Sequence, residues 1–132
     1  MSTVGDIMTT GLFFIEPSTT VAEAATVMGE RRIGSALVVD GDQLLGIFTE
    51  RDIVRALGEH FDAAGHPVSD WMTSNPLTVE PSLPVEQALR TMLDRNFRHL
   101  PVAEGDRVLG IVSMRDLTAA GVSTPPPPAA EP

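Results

Sequence analysis

The chain has 132 residues and a formal net charge of −9, with 42% hydrophobic residues, 20% charged residues and no cysteine. That hydrophobic share suffices for a core and is too high for a disordered chain. The negative charge repels a polyanionic partner such as nucleic acid, and the absence of cysteine excludes disulfides and thiolate metal sites.

Residues 1–8 carry Asp6 and lack a basic cluster followed by an apolar run, so no signal peptide is expected there. Leu12 to Ile15 reads as a short strand. Pro17-Ser18-Thr19-Thr20 leads into a helix whose apolar residues Val21, Ala24, Ala25 and Met28 have helical spacing. Ala36 to Val39 and Leu44 to Thr49 read as two strands of a hairpin around Asp40-Gly41-Asp42, and a helix follows from Glu50 to about Leu57. The apolar stretches Ile33 to Val39 and Leu44 to Phe48 fall well short of the ~20 residues that cross a bilayer. A soluble cytoplasmic protein with no membrane partner is expected.

The same order then recurs. Asp6-Ile7-Met8-Thr9 returns as Asp70-Trp71-Met72-Thr73, and Glu16-Pro17-Ser18 as Glu80-Pro81-Ser82. Gly46-Ile47-Phe48-Thr49-Glu50-Arg51-Asp52 returns as Gly110-Ile111-Val112-Ser113-Met114-Arg115-Asp116, and every pair lies 64 positions apart. A constant offset means one unit written twice without insertion. The second helix pattern is Val85, Ala88, Leu89 and Met92, the second hairpin turn is Gly105-Asp106, and the last helix runs from Met114 to Ala120. Repeat one therefore spans residues 1–58, a linker 59–68, repeat two 69–120 and a proline-rich tail, expected to be extended or disordered, 121–132. Each unit reads β-α-β-β-α, an α+β fold. Units this small bury too little surface alone, so the two are expected to pack face to face around one shared core.

These residues resemble the CBS domain, the module named after cystathionine β-synthase, over Val4 to about Ala120. The resemblance rests on the Asp6 to Thr9 element, on Arg98-His99-Leu100-Pro101-Val102, and on the Gly-x-x-Thr/Ser-x-x-Asp elements at Gly46 to Asp52 and Gly110 to Asp116. It implies a pair of repeats about a pseudo-twofold axis with two clefts between them, and ligands that carry adenosine: AMP, ADP or ATP, with Mg²⁺ as a possible companion and no required cofactor. It further implies that Asp52 with Thr49, and Asp116 with Ser113, meet the ribose and phosphate. A carboxylate accepting from a cis-diol fits the first role. The Asp116 cleft would add Thr9, Gly34-Ser35-Ala36 and Ile111, and the Asp52 cleft Thr73, Arg98-His99-Leu100 and Ile47. Family members of this kind dimerise, and without an attached catalytic domain the output would pass to a separate regulated protein.

All nine basic residues are arginine, the side chain suited to bidentate phosphate contacts. Arg98 stands where repeat one has Gly34, so Arg98 and Arg115 are expected to serve the Asp116 cleft while the Asp52 cleft has mainly Arg51, making the Asp116 cleft the firmer phosphate site. Leu37 replaces the proline found at Pro101. Arg51 and Arg115 fall in first helical turns, where a cation is unfavourable beside the helix dipole unless an anion joins it; Arg31, Arg32 and Arg95 suit helix ends. The Thr/Ser-x-x-Asp pattern is also a capping box, and both roles can coexist. His60 and His66 with Asp62 make a poor metal set and are expected to be solvated, His99 faces either the ligand or a neighbour, and Trp71 and the repeated methionines read as packing. No nucleophile with an adjacent base can be assembled, so catalysis is not expected. The alternatives are a ligand-free interaction module acting through dimerisation, and a binder of another adenosyl ligand such as S-adenosylmethionine.

Overall fold

A computed structural model describes residues 2–123; the proline-rich part of the tail lies outside the described residues. The chain runs α1 (Val4–Ile7), β1 (Phe14–Ile15), α2 (Val21–Arg31), β2 (Ser35–Asp40), β3 (Gln43–Thr49), α3 (Glu50–Glu59), two 3-10 turns (Ala63–Gly65 and Val68–Asp70), β4 (Thr73–Ser74), α4 (Val85–Arg95), β5 (His99–Glu104), β6 (Arg107–Ser113) and α5 (Met114–Ala119). This is the expected α+β arrangement of two tandem repeats.

Local chemistry accounts for the boundaries. Thr20 caps α2 by accepting from the Glu23 N–H at 3.1 Å, while the Thr20 N–H donates to the Glu23 carboxylate at 3.3 Å. The helix stops at Arg32 and its counterpart α4 at Asn96, both left-handed, with φ of 56° and 58°. The hairpins turn at Gly41 and Gly105, whose φ values of +59° and +58° suit a residue without a Cβ. Even the ladder irregularity repeats, between Val38 and Val39 and between Val102 and Ala103.

The expectation of one shared core is corrected. Each repeat has its own apolar cluster, the first around Phe48, Val38 and Met28 and the second around Met92, Leu100 and Leu117. Between them lies a smaller seam of Leu37, Ile47 and Ile111, flanked by Leu12, Leu44 and Val108. The repeats also exchange their leading segments. The Val4 N–H donates to the Leu83 carbonyl at 2.8 Å, and Val4 is buried in the second core. Reciprocally, the Val68 N–H donates to the Thr19 carbonyl at 2.8 Å, and Val68 and Trp71 are buried in the first. Thr9 then bridges to Ile111 of β6 as Thr73 of β4 pairs with Ile47 of β3.

The linker is correspondingly more structured than its composition suggests. Ala63 joins the first core. His66 lies between Asp62 and Asp70 at 3.5 and 3.7 Å and stacks on the Trp71 ring at 5.4 Å, so it is not simply solvated. The Trp71 indole N–H donates to Glu59 at 3.0 Å, and Arg55 donates to the Trp71 carbonyl at 2.7 Å. Among the described residues no helix is long and apolar enough to cross a membrane.

Candidate functional site

The exchange places the start of each repeat against the other's last strand, and two clefts open beside the seam. One, of about 590 Å³, is lined by Ile47, Thr49, Arg51 and Asp52 of repeat one and by Thr73, Phe97, Arg98 and His99 of repeat two. Its counterpart, of about 570 Å³, is lined by Ile111, Ser113, Arg115 and Asp116 of repeat two and by Thr9, Ile33, Gly34 and Ser35 of repeat one. These volumes suit a ligand of nucleotide size.

In each cleft one carboxylate oxygen is committed to the fold. The Thr49 N–H donates to Asp52 Oδ2 at 2.9 Å and the Ser113 N–H to Asp116 Oδ2 at 2.8 Å, and the hydroxyl oxygens of Thr49 and Ser113 accept from the backbone N–H of the respective aspartate. The capping boxes therefore exist, and they leave Oδ1 as the oxygen available to a ligand donor. Here the clefts differ. Arg55 lies 3.6 Å from Asp52 Oδ1, whereas the equivalent position in α5 is Ala119 and, among the described residues, Asp116 Oδ1 has no protein partner. Burial also pushes the Asp52 carboxyl above its ordinary value of 3.8, against the opposing pull of the Thr49 hydrogen bonds and of Arg55 and Arg51.

Of the residues expected in the clefts, two are elsewhere. Ala36 and Leu100 are fully buried, at 1% and 0% exposure, and belong to the two cores. They follow Ser35 and His99 on a strand, so their side chains point to the opposite face. The expected difference in arginines is also absent, because each cleft has three: Arg51, Arg55 and Arg98 in one, Arg32, Arg98 and Arg115 in the other. Arg32, assigned to a helix end, thus belongs to a cleft wall, while Arg31 lies over the Phe13 ring at 5.2 Å. Leu37 sits in the seam rather than in either cleft.

Sequence reasoning missed Glu50, Arg55, Pro76, Leu77, Phe97 and Met114. Arg55 was within reach, since three residues after Asp52 is the same helical face. His99 lines both clefts, and burial pulls it below its ordinary 6.5; Glu50 and Asp116 oppose that shift, while Arg115 and Arg98 reinforce it. Among the described residues no group of three or more histidines, aspartates or glutamates could hold a metal ion.

Comparison with known proteins matches the family model described as CBS domain twice, to residues 4–59 and 68–123. A 17.7 kDa protein of Acidianus ambivalens is 40% identical over 119 residues, covering 89% of this chain and 71% of that one. The solved structure of CBSX2 in complex with AMP is similar with a TM-score of 0.78 and 32% identity, covering 92% of this chain and 96% of that chain. The CBS domain pair of MJ0100, solved in complex with 5′-methylthioadenosine and S-adenosyl-L-methionine, is similar with a TM-score of 0.83 and 27% identity, also covering 92% and 96%.

Proposed function

This chain belongs to the CBS domain family, and from that premise we propose that it is a regulatory module that binds an adenine nucleotide, AMP, ADP or ATP, in its clefts and performs no chemistry itself. The observation that carries this reading is the repeated combination of an aspartate whose Oδ1 lies outside its capping box, an apolar isoleucine and three arginines in a cavity of nucleotide size. The Oδ1 that the capping box leaves suits a ribose hydroxyl, Ile47 or Ile111 a flat base, and arginine a phosphate. Neighbours solved with AMP or with S-adenosylmethionine and methylthioadenosine support a regulatory ligand-binding role. Between those ligand types, three guanidinium groups per cleft favour a phosphate over a cationic sulfonium.

A ligand that touches both repeats changes how they sit against each other, and that movement is the output. It passes to a separate protein in the cytoplasm, with Mg²⁺ arriving on the phosphates when ATP is the ligand. A homodimer would carry the signal: Val54 and Leu57 on α3, with Phe61 just beyond it, are 72%, 53% and 97% exposed and form an apolar outer surface. A thermal-shift screen with AMP, ATP and S-adenosylmethionine tests the reading. Stabilisation by the nucleotides is expected, about 2.7 kcal/mol at a hundredfold excess over Kd. Stabilisation by S-adenosylmethionine alone would replace the nucleotide reading, and no shift with any of the three would leave the interaction-module reading.

A further inference from the structure

The two clefts have a common wall. Glu50 at the start of α3, Arg98 just before β5 and His99 at its start line both of them. The positions related to these three by the repeat are Met114, Gly34 and Ser35, so only one set of charged side chains stands on the divide. Gly34 explains how that set fits. A Cβ there would lie 2.5 Å from Glu50 Oε1 and 3.3 Å from His99 Nε2, so glycine leaves the space that the two side chains occupy.

Arg98 is the one arginine that lines both clefts. Among the described residues no salt bridge or side-chain hydrogen bond holds it, and it is exposed, so its guanidinium is free to turn either way. The two other side chains that line both clefts do not supply a second cation. Glu50 is an anion, and His99, facing Glu50, Asp116, Arg115 and Arg98, is held towards its neutral form by burial.

We infer that the clefts are negatively coupled for phosphorylated ligands: the first phosphate takes Arg98, and the second cleft then binds without it. The inference rests on the nucleotide reading of both clefts. The second ligand loses a charge-assisted hydrogen bond and meets a divide already carrying the first ligand's negative charge. Losing one such bond weakens binding by about tenfold or more.

Calorimetric titration of the full chain with AMP tests this. Thr9→Trp and Thr73→Trp, at exposed wall positions outside the capping boxes, each fill one cleft and leave the other open; Asp116→Ala and Asp52→Ala, which weaken one cleft each, serve should a tryptophan variant fail to fold. Each single-cleft variant is expected to bind one equivalent. The wild-type chain should bind its second equivalent about tenfold or more weakly than the single-cleft variants predict, or not at all. Arg98→Gln should weaken the first equivalent, and its isotherm should equal the sum of its own single-cleft variants.

A wild-type isotherm equal to the sum of the single-cleft ones overturns the coupling and spares the nucleotide reading. So does a single-cleft variant that binds nothing, because one of the clefts is then not a site. A gap that persists in Arg98→Gln overturns the role of Arg98. No binding by any variant or by the wild type removes the nucleotide reading and the coupling with it.

Discussion

Gly110→Ala tests the link between the exchanged segments and the site. Gly110 is buried in β6, and a Cβ there would stand 2.6 Å from Met8 Sδ, 2.8 Å from Met8 Cγ and 2.9 Å from the Thr9 carbonyl oxygen. Met8 is flexible and can turn away, but the Thr9 carbonyl is backbone, and it accepts from the Ile111 N–H at 3.0 Å while the Thr9 N–H donates to the Ile111 carbonyl at 2.8 Å. Relieving the contact therefore pulls Thr9 off the strand. Overpacking of this kind costs about 1–3 kcal/mol, a fall in Tm of roughly 4–12 °C for a domain of this size. Thr9 also lines the Asp116 cleft, so AMP affinity there should fall while that of the Asp52 cleft does not. Gly29→Ala is the control: nothing lies within 4 Å of its Cβ position, it is exposed within α2, and alanine should stabilise it by about 0.5–1 kcal/mol. Thermal melts of the three proteins decide. A Gly110→Ala chain as stable as wild type would refute the close approach, and one destabilised with both cleft affinities unchanged would refute the route from Thr9 to the ligand.

Val4→Ala should cost about 2 kcal/mol in urea unfolding, two carbons at about 0.8 kcal/mol each plus a cavity term, and Val68→Ala the same; a neutral Val4→Ala would mean that the N-terminal segment does not close the second core. Asp116→Ala should reduce ATP affinity more than Asp52→Ala, because Arg55 already occupies Asp52 Oδ1, and the reverse order in a titration would show that Arg55 aids the ligand instead of competing with the diol. His99 is held below 6.5 in the folded chain, so as pH falls the unfolded chain takes up its proton first. The stability His99 contributes is thus fully present above about pH 6.5 and is lost as pH drops below it. His99→Gln should flatten that part of the profile of Tm against pH, and an unchanged slope would place the titration elsewhere.

The elements were legible because their signals are local. Helical spacing at Val85, Ala88, Leu89 and Met92, glycine at the two hairpin turns and a capping box before α3 and α5 each need only neighbouring residues. Most of the cleft was legible too, through the resemblance carried by the repeated motif. The crossing of the leading segments was legible only through that resemblance, which put Thr9 with Ile111 and Thr73 with Ile47; the residues alone do not give it, since a four-residue helix carries no pattern that says which repeat it docks on and Val4 is buried by residues about 80 positions away, such as Val85. Ala36 and Leu100 were misplaced despite an available signal, since strand alternation excludes them once Ser35 and His99 face the cleft. Glu50 gave none, because its place on the divide depends on the space that Gly34 leaves across the chain fold.

That dependence bears on how a duplicated unit becomes a shared site. Away from the divide the copies can stay alike, as Asp52 and Asp116 do in their equivalent capping boxes. At the divide the copies differ: Glu50, Arg98 and His99 of the shared wall are matched by Met114, Gly34 and Ser35. A second arginine at position 34 would displace the Glu50 carboxylate from the divide and crowd His99, and would add a second guanidinium beside a partly buried imidazole. Here repeat one leaves the space through Gly34, where Glu50 and His99 sit, while repeat two supplies Arg98 and His99. The asymmetry that lets both side chains fit is the same one that leaves a single arginine between two clefts, so competition for that arginine follows from packing two copies of one sequence against each other and adds to the difference that Arg55 makes between the two aspartates.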